Sequence, residues 1–261
     1  VKVEIGIIGG TGVYSQDMLK GQKEIEMETP YGKPSSPIVI GSYRGKKIAF
    51  LFRHGKDHSI PPHMINFRAN IWAFKELGVR RILATCACGS LRENYRPGDI
   101  VIPDQFMDSG KDIHTFYDGG KERFYHVCFE PPFCPELRSV LADSAKRLGI
   151  RHHAKGTYMR ISGPRFSTVS ESKMFSNFAD IIGMTGVPEA ILCREKEMCL
   201  GIIATITDFD VCIGKPTPFE EMKIVMSKNL DNTKRILQDV LGKIPEKRKC
   251  ICKDALKGAG A

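Results

Sequence analysis

No apolar run in the 261 residues approaches the roughly 20 that a membrane-spanning helix requires. The opening Val1-Lys-Val-Glu-Ile-Gly-Ile-Ile8 is too short and too charged for a secretory leader, so a cytoplasmic protein with no membrane partner is expected. Zinc-module spacing is missing as well. Of nine cysteines only Cys86/Cys88 and Cys250/Cys252 lie close, both as C-x-C, with no C-x-x-C or histidine pair beside them. No metal is therefore expected. Nucleic-acid motifs are also absent: there is no helix-turn-helix, zinc-finger or RNP pattern. The net charge of +9 is scattered, with one dense run at Lys247-Arg-Lys249. A solvated basic surface that favours encounter with small anions is expected, and a nucleic-acid partner is not.

What is present is an alternation of strand and helix patterns, with no linker and no internal repeat. Strands are expected at 3–8, 37–43, 46–52, 81–85, 99–103, 156–161 and 180–182, and in a buried run that opens at Gly201. Helices are expected at 65–77, 135–148, 168–177, 187–198 and 218–241. Residues 108–134 are polar, aromatic and irregular, the composition of a long loop, and such loops are usually functional or mobile. The fold class is α/β: a single domain over 1–244 with a mixed central β-sheet flanked by helices. A basic, cysteine-containing tail over 245–261 is expected to fray.

The most informative stretch is Gly201-Ile-Ile-Ala-Thr-Ile-Thr-Asp-Phe-Asp210. Its apolar, β-branched start suits a strand covered on both faces. Alternate residues of an extended chain share a side, so Asp208 and Asp210 can face one ligand at the carboxyl end of the strand. The alternative is that both acids cap a turn or the next helix. Gly9-Gly-Thr-Gly12 follows the first strand and either permits close backbone approach to a ligand, with a hydroxyl from Thr11, or forms a simple tight turn. Its spacing fails the dinucleotide fingerprint, since Ser15 stands at the third glycine, and the Walker lysine is absent. Arg53-His54 closes a strand; arginine is a two-pronged donor to phosphate oxygens, and histidine can add a donor beside it, or the pair sits in a surface turn. Thr185 precedes a helix whose N-terminus favours an anion, or it serves as that helix's cap.

Several motifs, in order, carry a resemblance. They are Gly6-Ile-Ile-Gly-Gly-Thr-Gly12, Arg53-His54-Gly55, Ala69-Asn-Ile-Trp72, Gly89-Ser-Leu91, Pro97-Gly-Asp-Ile-Val-Ile-Pro-Asp-Gln-Phe106, Gly163-Pro-Arg-Phe166, Met184-Thr185 with Val187-Pro-Glu189, and Thr207-Asp-Phe-Asp210. From Glu4 to about Leu241 the chain resembles the 5′-methylthioadenosine phosphorylases, in the trimeric branch of the purine nucleoside phosphorylases. The resemblance implies phosphorolysis of 5′-methylthioadenosine to adenine and 5-methylthioribose 1-phosphate, within purine and methionine salvage. It implies no cofactor, inorganic phosphate as co-substrate, and a trimer or a pair of trimers. Thr11, Arg53, His54, Cys86, the Ala87 backbone and Thr185 would hold phosphate. Phe166 would pack on the purine with Ser167 close by, and Met184 would lie against the ribose. Asp208, the catalytic candidate, would address N7 and Asp210 the 6-amino group. His126 of a neighbouring subunit would close the 5′ end, and Phe219 and Met222 would line the methylthio pocket.

The chemistry accounts for these residue types. A purine is a poor leaving group as a bare anion, and a carboxylic acid kept protonated in a half-apolar pocket can assist it at N7. A carboxylate accepts hydrogen bonds from an amino group and offers nothing to a 6-oxo group. Anionic phosphate offsets positive charge growing on the sugar. Two departures stand out. Cys86 replaces a Thr or Ser, and a thiol is a poor donor, so Cys86→Thr is expected to lower the KM for phosphate. Ser162 replaces a Glu. The Cys250-Ile-Cys252 ending resembles that of archaeal hyperthermophile relatives stapled by disulfides; the matching pairs would be Cys134 with Cys199, and Cys193 with the tail. Reduced, buried thiols are the default, and the disulfides the alternative. Rival readings are a phosphorylase for adenosine, inosine or methylthioinosine, a nucleic-acid module, and a dinucleotide-dependent oxidoreductase.

Overall fold

The computed structural model describes residues 3–10, 12–13, 19–119, 124–213 and 218–260, apart from the side chains of Phe219 and Lys223. Thr11 and the Phe219 side chain, both expected in the site, lie outside the described residues. The sheet is organised around β5 (Arg81–Ser90), which is parallel to β1 (Ile5–Gly9) on one side and to β11 (Cys199–Phe209) on the other. Beyond β1 come β4 (Lys46–Phe52), β3 (Ile38–Tyr43) and the edge strand β2 (Lys20–Ile25). The turn between β3 and β4 uses Arg44 and Gly45 at φ 47° and 80°, the conformation a two-residue hairpin needs. β2 has little burial and no apolar alternation, so no strand was expected there. Beyond β11 come β6 (Ile100–Val101) and β8 (His152–His153). The last residues of β5 instead pair antiparallel with β10 (Ile181–Gly183), which continues into β9 (Thr157–Arg160) and β7 (Gln105–Asp108).

Helices cover both faces. α1 (Phe67–Glu76) and α4 (Gly186–Glu195) pack on one face; α2 (Pro135–Arg147) and α5 (Phe219–Lys243) pack on the other. β11 shows why its sequence is almost continuously apolar: Leu200, Ile202, Ala204 and Ile206 join the first core, while Cys199 and Ile203 join the second. A Cβ on Gly201 would lie 2.9 Å from that of Leu137, so glycine lets α2 close on the strand. β1, β4, β5 and β11 run parallel. Their carboxyl ends therefore gather Gly9-Gly10, Arg53-His54, Cys86–Ser90 and Asp208–Asp210 at one side of the molecule.

Two expectations are corrected. The tail packs rather than frays: Cys250 and Cys252 are buried in the core beneath α2 and α5, and Tyr125 bridges Gly260. The segment has enough apolar surface to bury, while its lysines stay outward. Cys193 lies in the core on the α1/α4 face, so a link from it to the tail would have to cross the sheet.

Candidate active site

Asp208 and Asp210 sit where β11 is irregular. The register shifts between Ile206 and Asp208, leaving Thr207 as an extra residue, and Asp208 then pairs with Gly89. Such bulges re-aim side chains beside sites. A Cβ on Gly89 would stand 3.7 Å from Asp208 Oδ2 and 3.7 Å from Asp210 Cβ, so both acids overhang the same bare glycine. Asp208 is half-buried, and Thr207 donates to its Oδ1 at 2.6 Å. Burial raises its pKa above the ordinary carboxyl value against the pull of the Thr207 hydroxyl, and the charge of Asp210 adds to the rise.

Asp210 is buried and rigidly held. Ser167 donates to both its oxygens at 3.0 and 2.8 Å, Ser172 donates to Oδ2, and its own N–H reaches Ser90 O at 2.8 Å. Two hydroxyl protons leave carboxylate lone pairs open to a ligand donor. Ser172 was not expected. It belongs to α3 (Val169–Phe175), whose Thr168–Glu171 capping box fixes the helix start next to Ser167. The capping pattern is visible in sequence; the reach of Ser172 across 38 residues is not.

The cationic side of the site is built on Arg53. Its N–H donates to Gly9 O at 3.0 Å, which sets the glycine loop beside it. Expected as a free two-pronged donor, the buried guanidinium is instead largely engaged. Nε and one terminal nitrogen grip Glu189 at 2.6 and 3.0 Å, and the other donates to Thr85 O at 2.7 Å. Burial opposes the charge, but the Glu189 carboxylate outweighs it and keeps Arg53 protonated. The nitrogen facing Glu189 also lies 3.9 Å from Cys86 Sγ, and Cys86 is 3.5 Å from Thr185 Oγ1. Arg53, Cys86 and Thr185 are thus brought together, while Ala87 is exposed beside them.

Two details differ from expectation. His54 Nδ1 faces Ile60 O at 2.9 Å and so carries the proton. Burial lowers the His54 pKa to about 4, helped by the charge of Arg53, so near neutral pH Nε2 is a bare acceptor rather than a second donor. At the start of α4 the Thr185 hydroxyl makes no cap bond. The Thr185 and Gly186 N–H groups both donate to the buried Tyr158 hydroxyl at 3.3 Å. A helix N-terminus that looked open to an anion is therefore lined by a phenol, which also raises the need for glycine at 183, where a Cβ would lie 2.2 Å from the Tyr158 oxygen.

Cys86 and Gly89 are three residues apart on β5, about 10 Å at the rise of a strand, so the cradle and the acid pair are a nucleoside's length apart. Gly163 at φ 73° lies against Met184; a Cβ there would be 2.5 Å from the sulfur. That contact seats the turn carrying Phe166 and Ser167. The Phe166 ring is 71% exposed. Met222 is partly buried on α5, and His126 is exposed, with its N–H bonded to Ala259 O at 2.9 Å.

The acid pair and the Arg53 group thus lie at the carboxyl ends of parallel strands of one mixed sheet. The chain belongs to the phosphorylase superfamily, whose model matches residues 4–242. It is 54% identical over 260 residues to the S-methyl-5′-thioadenosine phosphorylase of Thermofilum pendens, covering 99% of this chain and 98% of that one. The methylthioadenosine phosphorylase crystal structure sourced from an Antarctic soil metagenomic library superposes with a TM-score of 0.94 at 39% identity, covering 100% of this chain and 93% of that one. A probable 6-oxopurine nucleoside phosphorylase of Dictyoglomus turgidum is 47% identical over 257 residues, covering 98% and 97%.

Proposed function

We propose that the site carries phosphorolysis of 5′-methylthioadenosine to adenine and 5-methylthioribose 1-phosphate. The C1′–N9 bond breaks with its electrons leaving on the purine, and a phosphate oxygen bonds to C1′. Asp208 supplies a proton or a strong hydrogen bond at N7, for which its raised pKa suits it. Asp210 accepts from the 6-amino group. Phosphate gathers at the residual N–H groups of Arg53, the Thr185 hydroxyl and the backbone near Ala87, with the Gly9-Gly10 loop beside it. His54 Nε2 accepts from a phosphate or ribose O–H. The observation that carries this reading is Asp210, held as an acceptor by two serine hydroxyls beside a second acid of raised pKa.

Self-association completes the site. The exposed Phe166 ring needs a wall, and the exposed segment around His126 suits donation to a second copy. Adenosine is a second substrate reading, because the acid pair does not sense the 5′ group. The test is phosphate-dependent release of free base from 5′-methylthioadenosine, adenosine, inosine and guanosine. Adenine release from 5′-methylthioadenosine should have the highest kcat/KM. Faster release of hypoxanthine or guanine would sink the assignment.

A further inference from the structure

Four cysteines lie apart from the active site and gather into one cluster. Cys134 caps the start of α2 and donates its N–H to Leu200 O at 2.9 Å. Cys199 opens β11, and Cys250 and Cys252 flank the first residue of a 3-10 turn, Ile251–Asp254. All four sulfurs lie within 4.8 Å of one another, with Cys199 and Cys250 at 3.4 Å. We propose that Cys134, Cys199, Cys250 and Cys252 form a tetrathiolate site for one zinc ion that fastens the tail to α2 and β11.

A zinc–sulfur bond of about 2.3 Å gives a tetrahedron with sulfur–sulfur edges of about 3.8 Å, which this cluster spans. Disulfides would join the sulfurs in pairs and would not require every sulfur to approach all the others. Soft thiolates in a tetrahedral set select zinc over magnesium or calcium. All four cysteines are buried, so the coordination shell is closed and leaves no position for a substrate, as in structural zinc sites. Loading breaks four S–H bonds, forms four S–Zn bonds and releases four protons to solvent, with no change of oxidation state. The resulting net negative charge has a buried counterpart. Arg81 is the cross-strand neighbour of Cys199 and 2% exposed, yet its Nε and one terminal nitrogen find no partner among the described residues. Cys199 and Asp208 are nine residues apart on one strand, about 30 Å, so this ion would act on the fold rather than on the reaction.

The test uses the full chain purified without added reductant in the presence of trace zinc, followed by elemental analysis and intact mass of the denatured, non-reduced protein. About one zinc per chain is expected, at the mass of the fully reduced sequence. Cobalt put in place of zinc should show the visible bands of a tetrahedral thiolate complex. The Cys250→Ser/Cys252→Ser double variant should retain less than about one tenth of the zinc, while Cys193→Ser keeps it all. Zinc-free wild type whose mass is lower by the hydrogens lost in disulfide formation would overturn the proposal. So would zinc-free protein with these thiols free. Both outcomes are read on wild type, whether or not the double variant folds.

Discussion

Asp208 and Asp210 are two positions apart but sit in different surroundings. One hydroxyl restrains Asp208, whose pKa rises with burial; two hydroxyls hold Asp210 as an acceptor. Asp208→Asn should lower kcat about 10²–10⁴-fold, the usual worth of a placed acid, with little change in the KM for phosphate. Steady-state kinetics at varied phosphate checks this, and an unchanged kcat would remove Asp208 from the chemistry. His54 gives a pH prediction. Its folded-state pKa of about 4 lies below the ordinary 6.5, so between these values the unfolded chain binds more protons. Stability from this group therefore rises with pH across that window and is lost as pH falls through it. Thermal midpoints measured from pH 4 to pH 6.5 should climb more gently in His54→Asn than in wild type. The acids and the histidine were legible as residue types. The protonation of His54 was not, because it depends on the Ile60 carbonyl and on burial.

Among the elements, the Arg53–Glu189 pair ties the turn after β4 to α4. Both side chains are almost fully buried, so removing one partner strands a charge in a low dielectric. Glu189→Gln should cost about 3–5 kcal/mol, seen in chemical denaturation as a lower midpoint at constant slope. A shift within about 0.5 kcal/mol would mean that water reaches the pair. Long elements with a clear period were readable: α1, α2, α5 and the hairpin of β3 and β4 lie where apolar spacing and turn residues put them. β2 was not, because an exposed edge strand carries no alternation. Nor was the full reach of β5, since Cys86–Ser90 reads as a loop until β10 and β11 pair with it.

At the scale of the whole molecule, no helix among the described residues is long and apolar enough to cross a membrane. The open wall beside Phe166 and the exposed His126 make the proposed site depend on a second copy. His126→Ala and Asp208→Asn subunits, each impaired alone, should regain activity when co-assembled. Every site that combines Asp208 of one subunit with His126 of the other is then intact. Mixtures no more active than their average would place His126 outside the site.

The amino-acid order by itself determined the α/β alternation, the glycine turns, the acid pair at a strand end and the family. These are written in local backbone preference and in the period of apolar residues, which need only neighbours along the chain. Tertiary structure alone decided that Glu189 engages Arg53, that Ser172 holds Asp210 and that Cys250 and Cys252 join Cys134 and Cys199. Those partners are 38 to 136 residues apart for the two hydrogen-bonded pairs. Only the packing of helices on a twisted sheet brings such distant side chains within bonding range.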